Sequence, residues 1–330
     1  PHCCAVAGRR PGILIEMAPT PDARPNRTSR PALRTALVAV LGVCLVLGGV
    51  VVGFAISSRS APAPTAAQPG AVPELSAPPP PPEEVPSAVP ETPPETTTFA
   101  EEFRSLTADL DVRAGLVARA VGGTETLTAG DWTVGPAWST IKVPLSIAAL
   151  RENPEVTDAI RAAITRSDNA AAEQIWQGLG DPVTAAQKVD AVLREAGDPT
   201  VVQSQRVRPE FTAFGQTQWS LDHQATFLAS AACDPRDQPV LELMGQIEPS
   251  QHWGLGQLPG ARFKGGWGPS PEGAYLVRQY GVIGDGSTVV AIAVEPASGS
   301  FDDGVQALTR IAQWLDERLA ELPSGRCPAQ

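Results

Sequence analysis

Trp138-Ser139-Thr140-Ile141-Lys142 stands where a polar turn enters an apolar stretch. Residues three apart share a helix face, so the Lys142 amine can reach the Ser139 hydroxyl. The N-terminal end of such a helix also offers amide donors and positive potential to an oxyanion. Nucleophile, base and anion site then fit within one turn. Ser-x-x-Lys alone is weak, because serine is common and surface helices often carry lysine. Scarcity strengthens it here: of 25 basic residues, only Lys142, Lys188 and Lys264 are lysines. Arginine meets the chain's other needs for positive charge, but it cannot lose its proton at working pH, whereas a buried lysine can. Lys142 therefore reads as a titratable amine.

A second pattern, Ala162-Ala163-Ile164-Thr165-Arg166-Ser167-Asp168-Asn169-Ala170-Ala171-Ala172, puts three short polar residues at a junction between helices. By itself it is an ordinary cap, since Ser167 and Asp168 are both good N-cap types. A third, Phe263-Lys264-Gly265-Gly266-Trp267, ends a strand with paired glycines, which permit either close approach to a ligand or a tight turn. Cysteine spacing offers no zinc pattern, and no metal or cofactor is expected. A Ser-His-Asp hydrolase would need His223, which falls in a helical pattern, or His252, in a Gly/Pro-rich loop without a nucleophile elbow. Neither supports that chemistry.

Together and in this order, the three patterns resemble the S-x-x-K, S-D-N and K-T-G signatures of the class A β-lactamase and penicillin-binding-protein group of serine acyl-transferases. Ser139 to Lys142 and Ser167-Asp168-Asn169 fit fully, and Lys264-Gly265-Gly266 fits except at its middle position. The resemblance spans residues 100–322. It implies an α+β domain with an antiparallel sheet flanked by helices and a reduced all-helical subdomain. It further implies that Ser139 attacks a carbonyl, Lys142 takes its proton and Ser167 relays a proton to the leaving nitrogen. Asn169 would bind the substrate amide, and Lys264 would add positive potential near Ser167 and the substrate carboxylate. The amides of Ser139 and Trp267, beside Gly266, would form the oxyanion hole.

Three departures bear on function. Gly265 removes a hydroxyl that in this group helps hold the substrate carboxylate. The stretch between Leu150 and Ile160 is short, which implies a trimmed helical part and a more open cleft. The segment Gln203 to Trp219 is also short, and its only acid, Glu210, does not reproduce the setting of the group's deacylation base. Glu210 is either that base or a loop acid paired with Arg206 or Arg208.

The elements that must position these residues follow from periodicity. A helix is expected near Phe99–Asp109, then a hairpin of Ala114–Val121 and Thr124–Thr128 turning at Gly122-Gly123. Helical patterns cover Thr140–Arg151, Val156–Thr165, Asn169–Gln177, Pro182–Ala196 and Leu221–Ala232. Strands return at Ala261–Gly266, Ala274–Ile283 and Thr288–Val294, and a final amphipathic helix covers Gly304–Leu322. A sheet drawing strands from both ends of the domain is the natural reading. Cys233 and Cys327, the two cysteines in this part, are expected either to pair in an oxidising compartment or to remain two structural thiols.

Upstream of residue 99 the composition changes. All seven tryptophans follow residue 100, whereas residues 59–98 are rich in Pro, Ala, Glu and Thr and read as an extended spacer. Residues 35–58 carry no charge and are long enough to cross a bilayer as a helix. Arg24, Arg27, Arg30 and Arg34 precede them, so residues 1–34 are expected in the cytoplasm and the domain at 99–330 outside. A cleavable signal peptide is the competing reading, with a shorter apolar region and a small-residue cleavage site. Residues 1–16 precede Met17 and read as an upstream artefact. A net charge of -11 without a basic stripe excludes a nucleic-acid partner. The expected function is acyl transfer on an amide of a β-lactam or cell-wall peptide by a single-pass membrane protein. The alternative is a degenerate domain that only binds wall peptide or a protein partner.

Overall fold

The computed structural model describes residues 97–329; the expected cytoplasmic segment, membrane helix and most of the spacer lie outside the described residues. Thr98 caps the first helix, α1 (Phe99–Asp109), in a capping box with Glu101. Two strands follow, β1 (Val112–Ala120) and β2 (Thr126–Gly130), joined through Gly122 at φ 66°. A short strand, β3 (Val134–Pro136), leads towards the helical part: α2 (Lys142–Glu152), α3 (Asp158–Thr165), α4 (Asn169–Gly178) and α5 (Pro182–Glu195). A loop then reaches β4 (Gln218–Ser220), α6 (Leu221–Ala231) and α7 (Gln238–Leu243). The chain closes with β5 (Arg262–Pro269), β6 (Tyr275–Ile283), β7 (Thr288–Pro296) and α8 (Phe301–Asp316).

The main sheet is antiparallel in the order β2-β1-β7-β6-β5, with β3 and β4 forming a separate pair. β6 and β7 are buried almost throughout, which explains their continuous apolar runs: an alternating pattern arises only where one sheet face meets water. α8 and α1 cover one face, where Trp314 packs against Phe99 and Phe103, and α6 covers the other. α2 is the hub of the helical part, with eight of its 11 residues buried against α3, α4 and α5. Among the described residues, no helix is long and apolar enough to cross a membrane.

Several elements differ from the expected ones. The expected helix at Thr140–Arg151 is two elements, a 3₁₀ turn at Trp138–Ile141 and then α2. Pro144 is tolerated in the first turn of α2 because its missing N–H would have no partner there. The last helix starts earlier, capped by Ser300, and ends at Asp316, with a separate 3₁₀ turn at Leu319–Glu321. α7, β3 and β4 had no expectation; each is too short for its periodicity to register.

Cys233, just past α6, is bonded to Cys327 in the C-terminal tail. The tail lies against the β1–β2 turn, where a side chain at Gly122 would meet the Arg326 carbonyl and the Cys233 sulfur. The bridge closes a loop with a sequence separation of 94, which constrains the unfolded chain strongly. Unreduced peptide mapping should recover residues 233 and 327 joined. Cys327→Ser should lower stability by about 2–5 kcal/mol in denaturant titration. An unchanged midpoint would deny the bridge a structural role.

Candidate active site

Ser139 lies in the 3₁₀ turn Trp138–Ile141. The turn is entered through a left-handed residue, Trp138 at φ 49°, a conformation costing about 1–3 kcal/mol outside glycine. Its surroundings hold it there. The Trp138 ring stands edge-on to Phe211 at 5.0 Å. The Thr140 hydroxyl donates to the Ala137 carbonyl and accepts from the Gln224 amide, while Tyr280 donates to the Thr140 carbonyl. Behind these stands Arg278, fully buried on β6. Its guanidinium donates to the carbonyls of Gly135, Pro136 and Trp219 and to the Gln224 side chain. With neutral acceptors around it, desolvation pulls Arg278 down to about 9.

The other wall is β5, the edge strand of the sheet. Alternation along a strand puts Lys264, Gly266 and Gly268 on one face. A Cβ at Gly266 would lie 2.9 Å from Ala137 O, Ser139 N and Thr140 N. At Gly268 it would lie 2.5 Å from the Trp138 indole. Two glycines at period two therefore let the strand lie directly on the turn that carries the serine. Of the paired glycines of the third pattern, Gly266 does approach a backbone closely, and it is the protein's own.

The Lys142 ammonium donates to Ser167 O at 2.5 Å and to Asn169 Oδ1 at 2.7 Å, and sits 3.5 Å from Ser167 Oγ. Lys264 donates to Ser167 Oγ at 2.9 Å and to Gly265 O at 2.9 Å. Both lysines are buried, and Ser167 is held between them in a left-handed conformation at φ 57°. Desolvation is the main cause that lowers Lys142 to about 7, against an opposing contribution from Asp168. Lys264 falls well below the lysine range, first through desolvation and then through the Lys142 charge. Asp168 is the N-cap of α4 and accepts from Ala171 N, which lowers its own pKa.

Ser139, Lys142, Ser167, Asn169 and Lys264 thus converge, with Gly266 and Trp267 beside them. One detail departs from the spacing argument. The Lys142 amine is turned to Ser167 and Asn169, and among the described residues the Ser139 hydroxyl has no hydrogen bond to it. Ser139, Lys142, Asn169, Trp267 and Glu210 line one open cleft of about 440 Å³. Glu210 is more than half exposed and bound to Arg208 at 3.1 Å. Sequence reasoning missed Glu173, which also lines the cleft and holds Arg206 at 2.6 Å. Its signal was available, since Glu173 is one helical turn beyond Asn169. Gly268 could have been found by its period-two spacing from Gly266; Arg278 was visible as a lone charge in an apolar strand.

Solved structures share this arrangement of sheet and helices. The β-lactamase from Streptosporangium roseum superposes with a TM-score of 0.54 at 17% identity, over 68% of this chain and 98% of that one. The fold is that of the class A β-lactamases. The chromosome-encoded β-lactamase of Vibrio parahaemolyticus matches with a TM-score of 0.53 at 17% identity, over 68% of this chain and 100% of its own. The TLA-3 extended-spectrum β-lactamase matches at 0.54 and 15%, over 66% and 98%. No protein-family model matches the sequence, and a search of curated proteins finds no match.

The lysines leave a thermodynamic signature. In the unfolded chain both keep their protons to about pH 10.4. In the folded chain they release them lower, so above neutrality the unfolded state binds more protons and stability rises with pH. Urea midpoints should climb from about pH 6.5 to about pH 9, and Lys142→Met should lose part of that climb. A flat profile in the unmodified protein would show that both amines keep ordinary values.

Proposed function

We propose that this chain is a serine acyl-transfer hydrolase, held outside the cytoplasm by the apolar run at 35–58, that opens an amide of a β-lactam or cell-wall peptide through a Ser139 acyl-enzyme. The observation that carries this reading is the Lys142–Ser167–Lys264 relay beside Ser139, with both of its amines buried. Lys142, near pH 7 in its half-neutral state, takes the Ser139 proton as Oγ bonds to the carbonyl carbon. This requires its amine to swing from Asn169 towards Ser139, one turn away, as the substrate amide takes over Asn169. The carbonyl oxygen gains its negative charge beside the amides of Ser139 and Trp267. The C–N bond then breaks, and Ser167, backed by Lys264, passes its proton to the leaving nitrogen while taking the proton that Lys142 holds, which returns Lys142 to the neutral form. Water completes the cycle, adding hydroxyl to the acyl carbon and returning a proton to Ser139.

Hydrolysis of the ester needs a base that activates water, and the two acids lining the cleft are both committed to arginines, Glu173 to Arg206 and Glu210 to Arg208. The acyl-enzyme should therefore persist. The same ion pairs, with Lys142 turned away from Ser139, favour as second reading a degenerate domain that binds wall peptide or a partner without turnover.

Intact mass after incubation with a reactive acyl probe or a penicillin decides between them. A stable adduct on Ser139 is expected, absent in Ser139→Ala and nearly absent in Lys142→Arg, because arginine keeps its proton. The labelling rate should rise with pH through about 7 as Lys142 becomes neutral, then level off. No adduct from either reagent would favour the binding domain. Full labelling of Lys142→Arg would sink the role of Lys142 as base. Fast multiple turnover lost in Glu210→Gln or Glu173→Gln would show that one of these acids is a working deacylation base.

A further inference from the structure

The face of β5 opposite Lys264 and Gly266 carries Gly265 and Trp267. A Cβ built at Gly265 would lie 3.2 and 3.3 Å from the Trp253 indole and 3.7 Å from Trp267. The space for a side chain at 265 is thus filled by aromatic rings. They belong to a larger group: Trp253 meets Trp267 edge-on at 5.9 Å, Trp267 meets Phe301 at 5.5 Å, and Phe301 meets Tyr275 at 5.8 Å. All four are partly exposed, and Trp267 and Tyr275 also line the cleft that holds Ser139.

Trp253 is fixed in position. Gln279, the register partner of Gly265, donates its amide to Trp253 O at 2.8 Å and accepts from Leu255 N at 2.7 Å. Thr309 accepts from Gly254 N at 2.9 Å. Gly254 itself is left-handed at φ 59°, and a Cβ there would collide with Gln279. Meanwhile the cations lining the cleft are committed: Lys142 to Ser167 and Asn169, Arg206 to Glu173. Lys264 is buried under Ser167, and the chain's net charge is -11. An anionic group arriving beside Gly265 meets indole where a hydroxyl would have been, and no free cation among the groups lining the cleft.

We propose that the cleft recognises, beside Lys264, an uncharged apolar or aromatic group of its acyl donor and discriminates against a carboxylate there, through Trp253, Trp267, Tyr275 and Phe301. Within the amides named above, the favoured donor is neutral on the leaving side, with the acyl carbon at Ser139 and an apolar group there, and a donor with a carboxylate at that place, such as a penicillin, is taken with lower affinity. Burial of that group against the rings supplies affinity, whereas a carboxylate loses water without gaining a partner. This rests on the acyl-transfer reading for the direction of the donor.

The test separates recognition from chemistry. Calorimetric binding to the full-length Ser139→Ala protein compares an N-acylated D-alanyl-D-alanine dipeptide with its C-terminal benzylamide, so that no turnover intervenes. The benzylamide should bind tighter by on the order of tenfold. Trp253→Ala should erase the preference, and Trp253→Phe should keep part of it. Trp253→Ala combined with Gly265→Thr should move the preference towards the carboxylate form. Equal or tighter binding of the carboxylate by the Ser139→Ala protein overturns the proposal, as does an undiminished preference in a folded Trp253→Ala protein. Labelling of the unmodified protein by a fluorophosphonate probe reports the nucleophile independently, so loss of the acyl-transfer reading would leave this binding comparison interpretable.

Discussion

How closely an edge strand can lie on a backbone turn decides the geometry of this cleft. With Gly266 and Gly268 lacking side chains, β5 rests on Ala137–Thr140 and on the Trp138 ring. One added methyl group at 266 would face three backbone atoms at 2.9 Å, and backbone cannot swing aside as a flexible side chain can. The same contact fixes where Lys264 enters, because it precedes Gly266 by two residues on the same face. The strand and the turn are braced from behind by different devices. β5 is held by its ladder to β6, and the turn by the chain of hydrogen bonds that runs from Arg278 through Gln224 to Thr140.

That brace has an electrostatic logic shared with the lysines. Arg278, Lys142 and Lys264 are all buried in a domain whose surface is acidic, and among the described residues no carboxylate forms a salt bridge to any of them. Arg278 spreads its charge over four neutral acceptors and stays a clamp. The two amines respond to the same desolvation by releasing protons more readily, which a guanidinium does far less easily. Residue type, more than position, separates the structural cation from the titratable ones. Ser167 is the shared acceptor that keeps the two amines from facing one another directly.

The helices and long strands were legible because each is amphipathic or continuously apolar over enough residues to show a period, as in Pro182–Glu195 and Tyr275–Ile283. The three motifs picked out residues that the fold brings together, since Ser139, Lys142, Ser167, Asn169 and Lys264 are named by short local spacings. What spacing did not convey was orientation. Lys142 shares a turn with Ser139, yet its amine finds two oxygens on the α3–α4 junction, a long-range contact that no i, i+3 rule contains. Nor did the missing hydroxyl at Gly265 announce what fills its place, because Trp253 arrives from a loop whose path is set by Gln279. The 3₁₀ turn escaped for a similar reason: a left-handed tryptophan is imposed by tertiary packing against propensity.

The sheet order carries a consequence for how the chain is made. β1, near the start of the domain, pairs along its whole length with β7, near the end, and so occupies the interior of the sheet between β2 and β7. During synthesis β1 and β2 emerge as a two-stranded ribbon, which is marginal in water by itself. They must wait while every helix of the middle segment is made before the partner strand appears. Such non-local pairing makes closure slow, because the loop entropy is spent before the contacts that reward it exist. Loss of β7 alone would consequently split the sheet between β1 and β6 and leave the N-terminal ribbon exposed, where in a sequentially ordered sheet it would only trim a margin.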